Sequence, residues 1–167
     1  MNRVRFCFLL LGAVALLAAA SGARAFQNEP GGFRGLEWGE RIGQMQGMAL
    51  HKKGKVGGVA LEVYSRENDE MRYGEAELTK LLYGFYKDQL YMVSLVTSTP
   101  SDYRALKEEA FRRFGEPTVG LDNIDKYKWK GDDVVVLLQY ELFEERCVFV
   151  YYYRPIMNQI QEASSGK

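Results

Sequence analysis

The densest pattern of apolar and polar positions runs from Leu78 to Pro117. Leu78 to Tyr86 and Leu90 to Thr97 are rich in aromatic and β-branched residues, and Lys87-Asp88-Gln89 interrupts them with polar turn formers. That sequence predicts two strands paired antiparallel through a tight turn. Ser98-Thr99-Pro100 then opens a helix. Thr99 is placed to cap free N–H groups, Pro100 fits the first helical position, and Asp102 faces the positive end of the dipole. Tyr103, Leu106, Ala110, Phe111 and Phe114 recur at three- and four-residue steps, with Lys107, Glu108, Glu109, Arg112 and Arg113 opposite them. One face is therefore buried and one is wet. Gly115 suits a left-handed end to this helix and Pro117 forbids its continuation.

Weaker patterns flank this unit. Ile42, Met45 and Leu50 form an approximate helical stripe over Glu40 to Leu50, against which Gly43 and Gly47 each weigh about 1 kcal/mol relative to alanine. A basic loop with Lys52, Lys53 and Lys55 follows, then a half-buried strand in which Val59, Leu61 and Val63 alternate with Ala60, Glu62 and Tyr64. Beyond Pro117, Thr118 to Asp125 reads as a loop and Lys126 to Lys130 as a strand with one charged face. Val134 to Glu141 and Cys147 to Tyr153 are strongly β-prone runs, the second closed by Arg154-Pro155. The expected fold is α+β: an antiparallel sheet of about six strands with two helices packed on one face. The order helix, strand, strand, strand occurs in both halves, so an α-β-β-β unit used twice is one reading and a sheet-and-helix domain without a repeat the other.

The first 25 residues carry Arg3 and Arg5, an apolar run from Phe6 to Ala20, and Ala23-Arg24-Ala25, a small-x-small cleavage site. This is the pattern of a signal peptide cut before Phe26. The remaining residues, 26–158, are expected to form a single α+β domain that is soluble and exported to the periplasm or beyond, and 159–167 a flexible polar tail. Cleavage removes Arg3, Arg5 and Arg24, leaving 19 basic against 22 acidic side chains and a formal charge of −3. A general nucleic-acid binder normally shows a basic excess. Cys7 leaves with the leader, so Cys147 has no intramolecular partner and a disulfide scaffold is excluded.

Candidate chemistry is sparse. His51 is the only histidine and stands among lysines, which removes histidine-pair metal sites and leaves a Ser-His-Asp triad only if His51 is its member. A thiol dyad of Cys147 and His51 would need both in one pocket, whereas Cys147 falls inside a strand. The acidic clusters Asp122/Asp125, Asp132/Asp133, Glu144/Glu145 and Glu67/Asp69/Glu70 lie in predicted turns and match no calcium loop. Gly54-Lys55-Val56-Gly57-Gly58 lacks the order of a phosphate-binding loop. No catalytic, cofactor or metal site is assigned. The strand tyrosines remain, with Tyr91, Tyr151 and Tyr153 the candidate anchors for a partner, because tyrosine offers a large rigid area with a polar tip.

Phe33-Arg34-Gly35-Leu36-Glu37-Trp38-Gly39 places large apolar groups among glycines just after the leader. This F-x-G-x-x-W-G opening, together with the tyrosine-rich hairpin and the Phe114-Gly115-Glu116-Pro117 stop, resembles a group of uncharacterised exported bacterial proteins. The resemblance implies no activity. The expected function is a non-catalytic envelope module binding a protein or other envelope component through a tyrosine-rich sheet face or edge, without cofactor, nucleic acid or membrane span. The alternative is a small periplasmic hydrolase using turn carboxylates or Cys147.

Overall fold

A computed structural model describes residues 26–121, 125–141 and 146–166. The leader and the acids Asp122, Glu144 and Glu145 lie outside the described residues. In chain order the elements are β1 (Gly32–Phe33), β2 (Leu36–Glu37), a 3-10 turn (Ile42–Gln44), β3 (Met48–Val56), β4 (Val59–Arg66), β5 (Arg72–Tyr73), β6 (Ala76–Glu77), β7 (Lys80–Tyr86), β8 (Gln89–Thr97) and α1 (Pro100–Phe114). They continue with β9 (Val119–Leu121), β10 (Lys126–Lys130), β11 (Val134–Glu141), β12 (Arg146–Tyr153) and α2 (Arg154–Ser165).

Eight strands form one antiparallel sheet in the order β3-β4-β7-β8-β12-β11-β10-β9, while β1-β2 and β5-β6 are separate small hairpins. The central hairpin forms as its sequence predicts: Lys87 and Asp88 connect β7 to β8, both with positive φ, 48° and 65°, as a two-residue connection between right-twisted strands requires. Helix α1 also forms as predicted. The Thr99 hydroxyl accepts the Asp102 N–H at 3.1 Å, and Gly115 ends the helix at φ 71°.

Several expectations are corrected. The sheet has eight strands, not six. The stripe over Glu40 to Leu50 yields only the 3-10 turn and then the edge strand β3, because Gly43 and Gly47 remove the helix preference that a weak apolar stripe would need. The basic loop is part of β3, with His51 the extra residue of a bulge between Leu50 and Lys52. Lysines on an exposed edge strand discourage pairing with another chain. The segment read as a loop after Pro117 contains β9, and residues 159–165 of the one read as a tail belong to α2, whose Ile156 and Ile160 are buried. Pro155 begins this helix instead of merely closing a strand, since proline fits the first turn, where its missing N–H is not needed.

The helices lie on opposite faces of the sheet, not on one. Leu106, Ala110 and Phe114 of α1 join Val93, Leu95, Trp129, Val136, Leu138, Phe149 and Tyr151 in the main core. Ile156 and Ile160 of α2 pack instead with Val59, Tyr86 and Tyr91, backed by Met92 and Tyr152. Successive strand residues point to opposite faces, so Tyr151 and Tyr152 serve different cores. Four strands of the main sheet, β3, β4, β7 and β8, precede α1 and four, β9 to β12, precede α2, with β8 and β12 paired at the centre, so the order in each half is strands then helix and not helix then three strands. Trp38 and Phe111 are half-buried against the main core and Phe114 is buried within it.

Candidate functional site

The small hairpins β1-β2 and β5-β6 share the α1 face of the sheet, since Phe33, Leu36, Tyr73 and Ala76 all belong to the main core. Between them and the C-terminal end of α1 lies a cleft of about 440 Å³. Its charged lining is Arg34, Arg72, Arg112 and Arg113 against the single acid Glu70, and its aromatic lining is Phe33, Tyr73, Phe114 and Tyr151.

Each wall has a local cause. Arg34 projects from the β1-β2 turn and donates to the carbonyls of Glu70, at 2.6 Å, and Arg72, which ties one hairpin to the other. Its guanidinium lies 5.3 Å from the centre of the Phe33 ring. Gly74 turns β5 into β6 at φ 59°, where a Cβ atom would stand 3.1 Å from the Glu109 carboxyl; a side chain would be both strained and crowded. At the end of α1, Glu109 accepts Arg112 Nε at 2.8 Å and Arg112 Nη2 at 2.7 Å, and also accepts Arg113 Nε. The guanidinium of Arg113 lies 4.5 Å over the Tyr73 ring, a favourable cation–π arrangement.

The acids behind this rim are occupied. The hydrogen bond from Arg112 holds the Glu109 carboxyl below its ordinary value, burial acting in the opposite direction. Asp69 accepts the Tyr83 hydroxyl and faces Arg34 at 3.8 Å. Among the described residues, Arg72, Arg112 and Arg113 keep terminal N–H groups without a hydrogen-bond acceptor, whereas Arg34 is spent on backbone carbonyls. At the base of the cleft the hydroxyls of Tyr73 and Tyr151 lie 2.6 Å apart. One donates to the other, so one hydroxyl proton of the pair is left over. Burial pushes both phenols up, Tyr151 far above its ordinary value, so both stay neutral.

The tyrosines singled out from the sequence do not come together on an open face. Tyr91 is 7% exposed and Tyr151 2% exposed, so neither offers surface to a partner. Tyr91 belongs to the α2 core because a bulge opposite Gly84 and Phe85 leaves it without a ladder partner and turns it beside Met92. Tyr151 forms part of the cleft floor. Tyr153 is half-buried, stacked on Trp38 at 6.3 Å and 10°.

The other candidates are scattered. His51 is exposed on the edge strand. Cys147 is fully buried, and burial raises its thiol to about 12. Asp132 and Asp133 occupy a turn whose N–H groups are bound by Glu29. Among the described residues no three or more His, Cys, Asp or Glu side chains come together in a way that could hold a metal ion. Sequence reading missed the four arginines because each has a bland local role: Arg34 and Arg72 adjoin turns, and Arg112 and Arg113 complement the negative end of a helix. The available signal was a pair of turns that each join an arginine and an aromatic residue to a glycine, Phe33-Arg34-Gly35 and Arg72-Tyr73-Gly74. No known family matches this chain, and neither a characterised protein nor a solved structure is similar to it.

Proposed function

We propose that this chain is an exported, non-catalytic module of the cell envelope that binds a partner or ligand through the arginine-lined cleft. The observation that carries this reading is the convergence of Arg72, Arg112 and Arg113, with donors unused among the described residues, over an aromatic floor. Guanidinium forks match carboxylate and phosphate oxygens in two-point contacts, so the partner presents an anionic group. Tyr151 acts as a core residue in the floor of this site, Tyr91 belongs to the core on the opposite face of the sheet, and Tyr153 stacks on Trp38. Export rests on the Ala23-Arg24-Ala25 pattern.

Among the described residues the geometry gives the hydrolase reading no support. Acid catalysis across a substrate requires two carboxylates facing each other over a gap, and Asp69 and Glu109 are instead engaged by Tyr83 and arginines. A buried neutral thiol is a poor nucleophile. Among the described residues no helix is long and apolar enough to cross a membrane. The experiment is affinity capture from the native envelope fraction with the mature chain and with Arg112→Gln/Arg113→Gln, both shown to be folded. Loss of the captured species with the arginine variant supports the cleft. Unchanged capture, with Tyr153→Ala abolishing it, returns the interface to the sheet.

A further inference from the structure

Resting on the cleft as the binding site, we propose that its ligand is a phosphomonoester with a small apolar body, the phosphoryl group held by Arg72, Arg112 and Arg113 and the body set against Phe33 and Phe114. The donor count points to this class. A carboxylate has two oxygens with about four acceptor sites, room for a guanidinium fork and one or two further donors, as Glu109 shows. Three arginines offer more donors than it accepts, whereas a phosphomonoester presents three terminal oxygens and a charge of roughly −1.5 to −2 near neutral pH.

Glu109 engages Arg112 and Arg113 without lining the cleft, and Glu70 is the acid in the lining, against four arginines. Glu109 takes the Nε edge of Arg113 and the Nε and Nη2 atoms of Arg112 from behind, leaving Arg112 Nη1 and both terminal nitrogens of Arg113 for a ligand. Glu75, which faces Arg72 at 3.7 Å, is 92% exposed and holds it loosely. Arg34 is a positioning residue, because its donors close the gap between the hairpins. The left-over proton of the Tyr73–Tyr151 pair supplies a neutral donor at the floor. A volume of about 440 Å³ lies at the small end of ligand sites, which limits the body to an aryl or short acyl group.

The test is calorimetric titration of the mature chain with phenyl phosphate, inorganic phosphate and benzoate at low salt. Phenyl phosphate is expected to bind most tightly, with inorganic phosphate weaker for lack of the body and benzoate weaker for lack of oxygens. Arg113→Gln and Arg112→Gln each weaken phenyl phosphate about tenfold. Tyr73→Phe weakens it about threefold, without altering the salt dependence that the arginine variants reduce. Each variant is first matched to the wild type in melting temperature; if one fails to fold, Arg72→Gln on the exposed hairpin takes its place. Vesicles containing phosphatidic acid, compared with phosphatidylcholine alone, separate the two sources of the same chemistry. Arginine-dependent partition to the former assigns a lipid head group, and binding of phenyl phosphate without partition assigns a free phosphoester. Benzoate binding as tightly as phenyl phosphate, or binding insensitive to all three arginines, overturns the ligand class. If that happens while the arginine variants still lose the captured envelope species, the cleft remains the site and only its chemistry is misassigned.

Discussion

Phe114→Ala is the substitution that tests most directly whether the α1 face is organised as described. The ring is 3% exposed and meets four others: Phe26 edge-on at 5.0 Å, Trp129 at 6.0 Å, Tyr151 at 6.1 Å and Phe149 at 6.5 Å. Truncation removes the transfer free energy of the ring and leaves a cavity among rings anchored on β10, β12 and the N-terminal segment. A loss of about 3–5 kcal/mol is expected, a large share of the roughly 5–15 kcal/mol that domains possess. With a urea m-value of about 2 kcal/mol/M, the unfolding midpoint falls by about 2 M. Tryptophan fluorescence serves as the probe, because Trp129 adjoins the cavity. Phe111→Ala is the internal control: its ring meets Tyr127 at 5.4 Å and Trp129 at 5.5 Å but is only half-buried, so about half the loss is expected. A Phe114→Ala midpoint no lower than that of Phe111→Ala, at unchanged m-value, would refute this account of the core.

Glu29→Ala should destabilise the protein by about 2 kcal/mol, since the carboxylate accepts charge-assisted bonds from the N–H groups of Asp132, Asp133 and Val134; a urea midpoint equal to wild type would show that water replaces it. Glu109 has a folded pKa below its ordinary 4.5, the hydrogen bond from Arg112 being the main cause. Its contribution is therefore complete above the unfolded value and lost as pH falls through the folded one. Glu109→Gln should flatten the acid limb of a stability profile, and an identical slope in wild type and variant would contradict this. Cys147, fully buried with its thiol raised to about 12, should resist an aromatic disulfide reagent in the native protein and react once in urea, native labelling being the adverse result. Exported protein should begin at Phe26 by N-terminal sequencing, and recovery of an intact Met1 chain from membranes would rule out cleavage.

Local rules were sufficient where each boundary had its own residue. Thr99, Pro100 and Gly115 delimit α1 whatever surrounds it, and Lys87-Asp88 sets the central hairpin, because capping and turn energies act over a few residues. The β-rich runs from Val134 to Tyr153 were legible for the same reason: their side chains suit a pleated, covered surface. The stripe over Glu40 to Leu50 was ambiguous because its weak spacing carried two glycines, and strand pairing with β4 decided the matter. The second helix was invisible as a helix because its polar surface resembles a frayed end, while Ile156 and Ile160 are buried only because Val59 and Tyr86 lie against them.

Residue patterns alone were enough for the class of the domain, its central hairpin and the position of α1. Which face each helix covers was settled by packing, since a period of two tells which residues share a side but not what lies above it. The bulge at Tyr91 shows the same limit, for one extra residue moved a predicted contact residue into a core. The arginine cleft belongs wholly to the tertiary level. Arg34, Arg72 and Arg112 with Arg113 are separated by about forty residues at each step, and their meeting depends on two small hairpins docking beside a helix end, which no local preference encodes.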